Sequence, residues 1–520
     1  VNIAVQDLSA PTVSLSSPTA GTTFTSAQTV RIAASATSST GVSKVDFYNG
    51  TTLLKNDTTS PYFVDWAITS ANNGSHNLTA KAYDAAGIVS NAATVGVTVN
   101  ISTAITPSSG PLKVFPGAEG FGAQTKAGRG GAVIKVTNLN DSGTGSLRAA
   151  LEATGPRIVV FETSGTIKIS TDLRISNPYV TVAGQTAPFP GIMIMGYGIR
   201  ITTHDVLIQH IAIRPGDEGK TSLPPAYDNV DCMQLLNGAN NVVIDHVSMS
   251  WAIDETISTW PGASGSADNI TLSNNIIAEG LQNSLHTEKP HSKGLLLGVG
   301  TGKVSVLNNL LAHNWDRNPQ IQGPTQVQLV NNLFYEGGQW NFAMLTDPYA
   351  GGAIKASFMG NVFKDTISTT ATSVYGVSST VATGTQLYQS DSIWLNENET
   401  LKTVKVSDSK GGTITSSPPV ALTGLTIKPA SEVKAAIVKN VGARPAQRDT
   451  TDTRILSQVQ NGTGGQISSV YEVGRPSYPT NYAIFNAGSN PNGDDDGDGY
   501  TNIEEILHKM AAEVEGRSAI

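Results

Sequence analysis

The sequence predicts an all-β protein: a right-handed parallel β-helix preceded by an immunoglobulin-like β-sandwich. Three observations predict it. Charged residues are only 14% of the 520 positions while Gly supplies 52, which disfavours long charged helices and favours many strands joined by turns. The first hundred residues break into short alternating runs between turn residues. From residue 114 to about 366, apolar runs end in polar pairs at a recurring, uneven step.

Residues 1–100 form the first module. TVRIAASA, KVDFYNG, TLLKND, YFVDWAI, HNLTAKAYDA and AATVGVTVN alternate apolar and polar positions and are separated by Gly, Asn, Asp and Pro. Strands at this spacing predict a sandwich. SKVDFYNGTTLL and LTAKAYDAAG resemble bacterial Ig-like modules appended to secreted carbohydrate enzymes. Trp66 or Tyr62 could offer a stacking platform for a glycan, but an aromatic on an alternating strand is more often core, so a spacer is the preferred reading. ISTAITPSSGP, residues 101–111, is small, polar and closed by Pro, as linkers are.

Residues 112–480 carry the repeat. VLIQHIAI, VVIDHVSM, ITLSNNIIAEG, VSVLNNLLAHN, VQLVNNLFYEG and ASFMGNVFKDT each contain a polar pair ending at His210, His246, Asn275, Asn309, Asn332 and Asn361. Subtracting positions gives steps of 36, 29, 34, 23 and 29 residues. Loops inserted between coils of a solenoid produce this pattern, and Asn side chains in register can bond along the stack. The Gly-rich opening around Gly128, Gly130 and Gly131 lacks the GK[ST] of a phosphate loop. SGTGSLRAALEA predicts a short helix capping the solenoid, with Ser146 as N-cap and Leu147, Ala150 and Leu151 facing inward. SEVKAAIVKNVGARP predicts another helix, starting near Ser431 and ended by Gly442–Pro445.

Residues 481–520 form a tail. DDDGDGYTNIEE (494–505) fits the EF-hand loop pattern. Asp494, Asp496 and Asp498 hold the first three ligand positions, Gly499 the turn, Tyr500 a backbone carbonyl ligand and Glu505 the closing carboxylate. Ile503, Ile506, Leu507 and Met510 then mark one face of a helix. A single such loop predicts a structural calcium site.

The net charge of −8 excludes a general nucleic-acid binder, which needs a basic stripe. An acidic protein that binds a polyanion needs a local basic patch or a bound cation. The one cysteine, Cys232, lies in an apolar run and is read as a small buried hydrophobe. No apolar run reaches 18 residues, so no helical membrane span is expected. The chain starts at Val1 without a leader pattern and is read as a mature secreted form, extracellular and monomeric.

The chemistry concentrates between Asp231 and Gln322, in NVDCMQLLNGANNVVIDHVSMSWAIDETIS, HSKGLLLG and DRNPQIQ. Acids and bases on successive short strands predict one surface for a metal and an anionic substrate. Together with FPGAEGFG, VTNLNDSGTGSLRAAL and GARPAQRDTTDTR, these pieces resemble bacterial pectate lyases of polysaccharide lyase family one, over residues 114 to about 475. The resemblance implies a parallel β-helix and calcium-dependent β-elimination of α-1,4-linked polygalacturonate, or pectin, to 4,5-unsaturated oligogalacturonides. It implies Asp231 and Asp254 as Ca2+ ligands, with Glu255 beside them, and Arg317 as the base. Lys293 would grip a substrate carboxylate and stand second as a catalytic group. Trp260, His291 and Gln322 would contact substrate. Asp245 is read as structural and His246 as a stacked side chain. Asn229, Ser258 and Gln322 depart from the family pattern. The first two thin the calcium site, which Asp228 or Glu255 could fill, and the third removes a substrate cation. An arginine base is chemically awkward, because guanidinium holds its proton; the alternative is an electrostatic clamp, with Lys293 or hydroxide as base.

Three rivals remain at this stage. A calcium-independent pectin lyase would dispense with Asp231 and Asp254. A polygalacturonase would need paired carboxylates for hydrolysis. A β-helical adhesin would leave Lys293 and Arg317 unexplained.

Overall fold

Strands of three to six residues that are apolar on one side cannot bury that side alone. In residues 112–480 each finds cover on the next coil. The computed structural model describes residues 9–24, 28–69, 72–100, 112–220, 222, 229–337, 341–366, 368–408 and 412–518. The chain divides into two compact units, Val1–Ser108 and Ser109–Ile520. The expected linker at 101–111 lies outside the described residues.

In the first unit, a three-stranded sheet (Thr12–Ser17, Gln28–Thr37, Tyr62–Ile68) faces a five-stranded one that includes Val42–Asn49 and Gly74–Asp84. Val45, Phe47, Leu78 and Trp66 fill the space between them. Trp66 is 8% exposed and meets His76 edge-on, so its ring is core and offers no glycan platform.

In the second unit, sheets of eleven, ten and nine strands run along a β-helix, parallel throughout except for Leu401–Lys402, which closes the ten-stranded sheet antiparallel. One coil consists of Asn240–Asp245, Ser248–Ser250 and Glu255–Thr259, one strand per sheet. The next consists of Asp268–Ser273, Ile276–Ala278 and Lys293–Leu297. Inward side chains such as Ile244, Leu272, Val306 and Leu329 stack into one continuous core. Each contributes about 1.5–3 kcal/mol by leaving water. Cys232 is fully buried there.

A buried Asn ladder pins the coils. The Oδ1 atoms of Asn275, Asn309, Asn332 and Asn361 accept the backbone N–H groups of Val247, Asn275, Asn309 and Asn332 at 2.8–3.0 Å. The two histidines are not rungs of it. Register pairs Asp245 with Ser273, so His246 sits level with Asn274, and His210 lies above His246. His210, His246, Asn274, Asn308 and Asn331 all hold φ between 50° and 59°, the left-handed corner between the first and second sheets. The repeat therefore has two polar positions: an outward corner residue and an inward rung.

Helix α1 (Leu147–Glu152) caps one end, with Ser146 accepting the N–H of Ala149 and Leu147, Ala150 and Leu151 buried. At Gly128 a Cβ would sit 2.1 Å from the carbonyl oxygen of Arg157, and at Gly131 2.3 Å from that of Pro156, so these two glycines serve backbone packing. Helices α2 (Ala430–Asn440) and α3 (Thr450–Asn461) lie on the second sheet through Val433, Ile437, Ile455 and Val459. Buried Arg214 binds both Asp449, the α3 N-cap, and Asp452 at 2.6 Å, so GARPAQRDTTDTR acts here as a docking motif. Helix α4 (Asn502–Glu515) buries Ile503 and Leu507 against Ile158, Val160 and Ala183, so the tail packs on the β-helix.

Candidate active site

The loops leading into the third sheet hold the predicted residues. Asp231 precedes Met233–Leu235, Asp254 precedes Glu255–Thr259, Lys293 opens Lys293–Leu297, and Arg317 precedes Gln320–Gln322. These strands are neighbours in the sheet, so residues distant in sequence stand one coil apart. Glu255 pairs with Lys293, and Lys293 with Asp316, in register.

Asp231, Asp254 and Glu255 each bring a carboxylate oxygen to within 4.8 Å of the others. Asp231 is 3% exposed. Its Oδ2 accepts the Ser258 hydroxyl at 2.5 Å, while its buried Oδ1 has no hydrogen-bond partner. Burial, and then the charge of Asp254, push its pKa well above the usual carboxylate range, against the Ser258 bond. A divalent cation suits this set: hard oxygen donors, surplus negative charge and an unsatisfied acceptor. Ser258, one of the departures from the family pattern, orients Asp231. Asp228 lies outside the described residues; Asn229 lines the cavity.

Arg317 faces these acids. It holds φ 58°, a conformation costing about 1–2 kcal/mol for a residue with a Cβ. Asp316 accepts its backbone N–H at 2.8 Å, and its carbonyl accepts from Leu295 at 2.6 Å, fixing the strained corner. Its guanidinium pairs with Glu255. Burial drags its pKa below the ordinary guanidinium value, while Asp254 and Asp231 pull it up. Lys293 stands further back: its Nζ binds Asp316 at 2.9 Å and lies 4.8 Å from the centre of the Trp315 ring.

A cavity of about 510 Å³ opens over the acids. Of the expected substrate contacts, Trp260, His291 and Gln322 line it, as do Arg317 and Ser258; Lys293 does not. Trp260 meets the exposed Tyr349 edge-on at 5.4 Å, and Gln322 presents a buried, unpartnered Oε1. His291 Nε2 binds Asp254 Oδ1 at 2.6 Å, and its ring stacks on His286 at 3.5 Å. Sequence reading missed Arg200, Gln234, His286 and Tyr349, which also line the cavity. Arg200 sits on the preceding coil, paired with Asp172 at 2.8 Å. Only the coil register, which aligns Arg200 with Gln234 and Gln234 with Ser258, could have found it.

A family described as Bacterial Ig domain matches residues 11–80. A protein of Aspergillus fumigatus named Probable pectate lyase C is 38% identical over 397 residues, covering 75% of this chain and 85% of its own. Its namesake in Aspergillus terreus is 41% identical over 50% of this chain and 56% of its own. Probable pectin lyase A of Neosartorya fischeri is 27% identical over 48% of this chain and 60% of its own. These relatives are fungal, whereas the motif resemblance was to bacterial members. Among solved structures, jun a 1, the major allergen from cedar pollen, is 18% identical with a TM-score of 0.42, over 62% of this chain and 92% of its own. A fibronectin(III)-like module of Clostridium thermocellum CbhA is 39% identical with a TM-score of 0.16, over 18% of this chain and 99% of its own.

Proposed function

The chain belongs to the pectate lyases, and from that premise we propose that it cleaves polygalacturonate by calcium-assisted β-elimination at the cavity built on Asp231, Asp254 and Arg317. The observation that carries this is the unpartnered, buried Oδ1 of Asp231, set among acids and facing a half-buried arginine. Asp231 and Asp254 would hold the ion, with Glu255 free to join when Arg317 releases it.

In a 4-linked uronate the C5 proton lies α to a carboxylate. Calcium, when bound, supplies charge neutralisation that makes this proton more acidic and offsets the pull of Asp231 and Asp254 on Arg317. Arg317, whose pKa burial lowers, takes the C5 proton in its neutral guanidine form; the C5–H electron pair forms the C4–C5 double bond, the C4–O bond breaks, and the oxygen leaves with the neighbouring sugar, taking a proton from solvent. Trp260 offers a sugar face a flat apolar surface, and Gln322 and His291 offer polar contacts. Lys293 acts on a neighbouring uronate carboxylate by exchanging Asp316 for it. The chain works outside the cell, as a monomer. Among the described residues no helix is long and apolar enough to cross a membrane.

Product mass tests the reaction class. Elimination gives fragments whose masses sum to the starting chain, one of them unsaturated. Fragments that together gain one water would overturn the lyase reading in favour of hydrolysis.

The tail loop is proposed as a second, structural calcium site, with Asp494, Asp496, Asp498, the Tyr500 carbonyl and Glu505 as ligands. The first three bring oxygens within 4.8 Å of one another. Burial, then Asp496 and Asp498, push Glu505 up to about 7. Without calcium the folded chain therefore keeps a proton on Glu505, a contribution to stability present below the usual carboxylate range and lost as pH rises through about 7. Calcium replaces that proton, so its stabilising effect grows as pH rises through the same range. Asp494→Ala with Asp498→Ala should lower the Tm in calcium and leave the specific activity of folded enzyme nearly unchanged. Loss of turnover at unchanged Tm would show a catalytic role instead.

The division into module 1–100, linker 101–111, catalytic domain 112–480 and tail 481–520 predicts that the Ig-like module is dispensable for chemistry. A chain beginning at Lys113 should fold and cleave soluble polygalacturonate at the full-length rate. A folded but inactive chain would place part of the site in the module.

A further inference from the structure

On another side of the β-helix, two histidines and a glutamate converge. His210 and His246 occupy the outward corner of successive coils, their rings stacked 5.2 Å apart and 19° from parallel. Glu515, in the last turn of α4, reaches down to both. Its carboxylate oxygens lie 3.4 Å from His210 Nε2 and 3.9 Å from His246 Nε2. We propose that His210, His246 and Glu515 form a binding site for a divalent transition ion of the zinc class, clamping the end of α4 to the β-helix.

The ring nitrogens are set for it. His210 Nδ1 lies 2.9 Å from the Ala443 carbonyl, which can only accept, so Nδ1 carries the hydrogen. In the neutral ring the lone pair then sits on Nε2, and this atom is buried in a fully enclosed residue with no hydrogen-bond partner. His246 Nδ1 donates likewise to Asp245 Oδ2 at 2.8 Å, turning its Nε2 toward Glu515. Asp245 is itself fixed by Gln209, Ser273 and Asn274 at 2.7–2.9 Å. A carbonyl or carboxylate behind each imidazole is the outer shell that orients metal-bound histidines.

Spacing and donor type agree. Tetrahedral bonds of about 2.0–2.1 Å place neighbouring ligand atoms about 3.3 Å apart; the 3.4 Å between Glu515 and His210 matches this, and all three ligand atoms lie within 4.8 Å of one another. Two imidazoles and one carboxylate select the zinc class over calcium, which takes oxygens throughout. Arg517 Nε binds Glu515 Oε2 at 2.5 Å, leaving Oε1 toward His210. A cavity of about 230 Å³, lined by His246, Glu515, Arg517 and His508, gives access and room for a fourth ligand. The alternative is an imidazolium on His246, which burial opposes but Asp245 and Glu515 favour, answering Glu515 directly, with no ion.

The test uses the full-length protein in saturating calcium, with zinc as probe. His286 and His291 beside Asp254 form another nitrogen-bearing cluster, so the difference between native and variant proteins makes the assignment. Native protein should bind one more zinc per chain than Glu515→Gln or His210→Gln. Zinc should raise the Tm of the native protein and not that of either variant, while cleavage of polygalacturonate by the variants stays native. Cobalt in place of zinc should give the visible absorption of a tetrahedral nitrogen-containing site, lost in Glu515→Gln. Should one variant fail to fold, the zinc count and cobalt spectrum of the other, set against native protein, decide. Equal zinc in native and variant proteins, or no zinc on native protein in excess calcium, would overturn the site and leave the imidazolium–carboxylate pair.

Discussion

Asp231→Asn should remove activity and add stability, measured in different buffers on the same protein. The change keeps the size of the side chain and an oxygen for the Ser258 hydroxyl, so it isolates charge from packing. At calcium concentrations that saturate the native enzyme, the variant should be inactive, or need about tenfold or more calcium for half-maximal rate, the scale on which ligand charge tunes such sites. In chelator the sign reverses. Asp231 has a folded pKa raised by burial and by Asp254, so the folded state holds its proton more tightly than the unfolded chain. That contribution is complete below the usual carboxylate range and is lost as pH rises through the raised value. Above that raised value, without calcium, the native protein carries a buried charge that the variant lacks, and there the variant should melt higher. A variant that melts lower in chelator and remains active in calcium would remove Asp231 from the metal site.

Arg317→Lys should lower kcat by about 10²-fold or more, the scale of lost general-base catalysis. Lysine keeps the charge but not the reach or planar donor geometry of the guanidinium. The variant should also melt close to the native protein, because Arg317 makes its fixed backbone bonds to Asp316 and Leu295 with main-chain atoms that lysine retains. The pH profile separates the roles. A base appears as a rising limb whose midpoint moves when the base is replaced, whereas a clamp alters rate without moving it. Lys293→Ala should raise KM, because it removes a cation from a neighbouring uronate. A folded Arg317→Ala enzyme with near-native kcat and an unchanged profile would assign the proton to another group.

Much of this architecture was legible because its causes are local. Short apolar alternation forces stacking, Ser146 caps α1 through one side chain, and the Asn rungs recur because each satisfies a buried N–H of the coil before it. Asp231, Asp254 and Arg317 were legible through motif order, which fixes their places on successive coils. What escaped depends on register. His210 and His246 read as rungs of the ladder, because in a linear string an outward corner and an inward rung differ by one position. Arg200 and Tyr349 reach the cavity from other coils, and no local spacing ties them to Asp254. Trp66 could be read as platform or core until the two sheets closed over it. Lys293 pairs in register with Glu255 but stays out of the cavity lining, and its ion pair with Asp316 depends on a bridge between coils that no local spacing reveals.

The central claim is that a cation held by Asp231 and Asp254 is needed for Arg317 to take the C5 proton. It is tested most directly by following the ultraviolet absorbance of the C4–C5 double bond as full-length protein acts on polygalacturonate, with calcium and then with excess chelator. The account predicts a steady rise in absorbance in calcium, its arrest on chelation and its return when calcium is restored. An absorbance that continues undiminished in excess chelator, or shortening of the polymer with no absorbance at all, would contradict it.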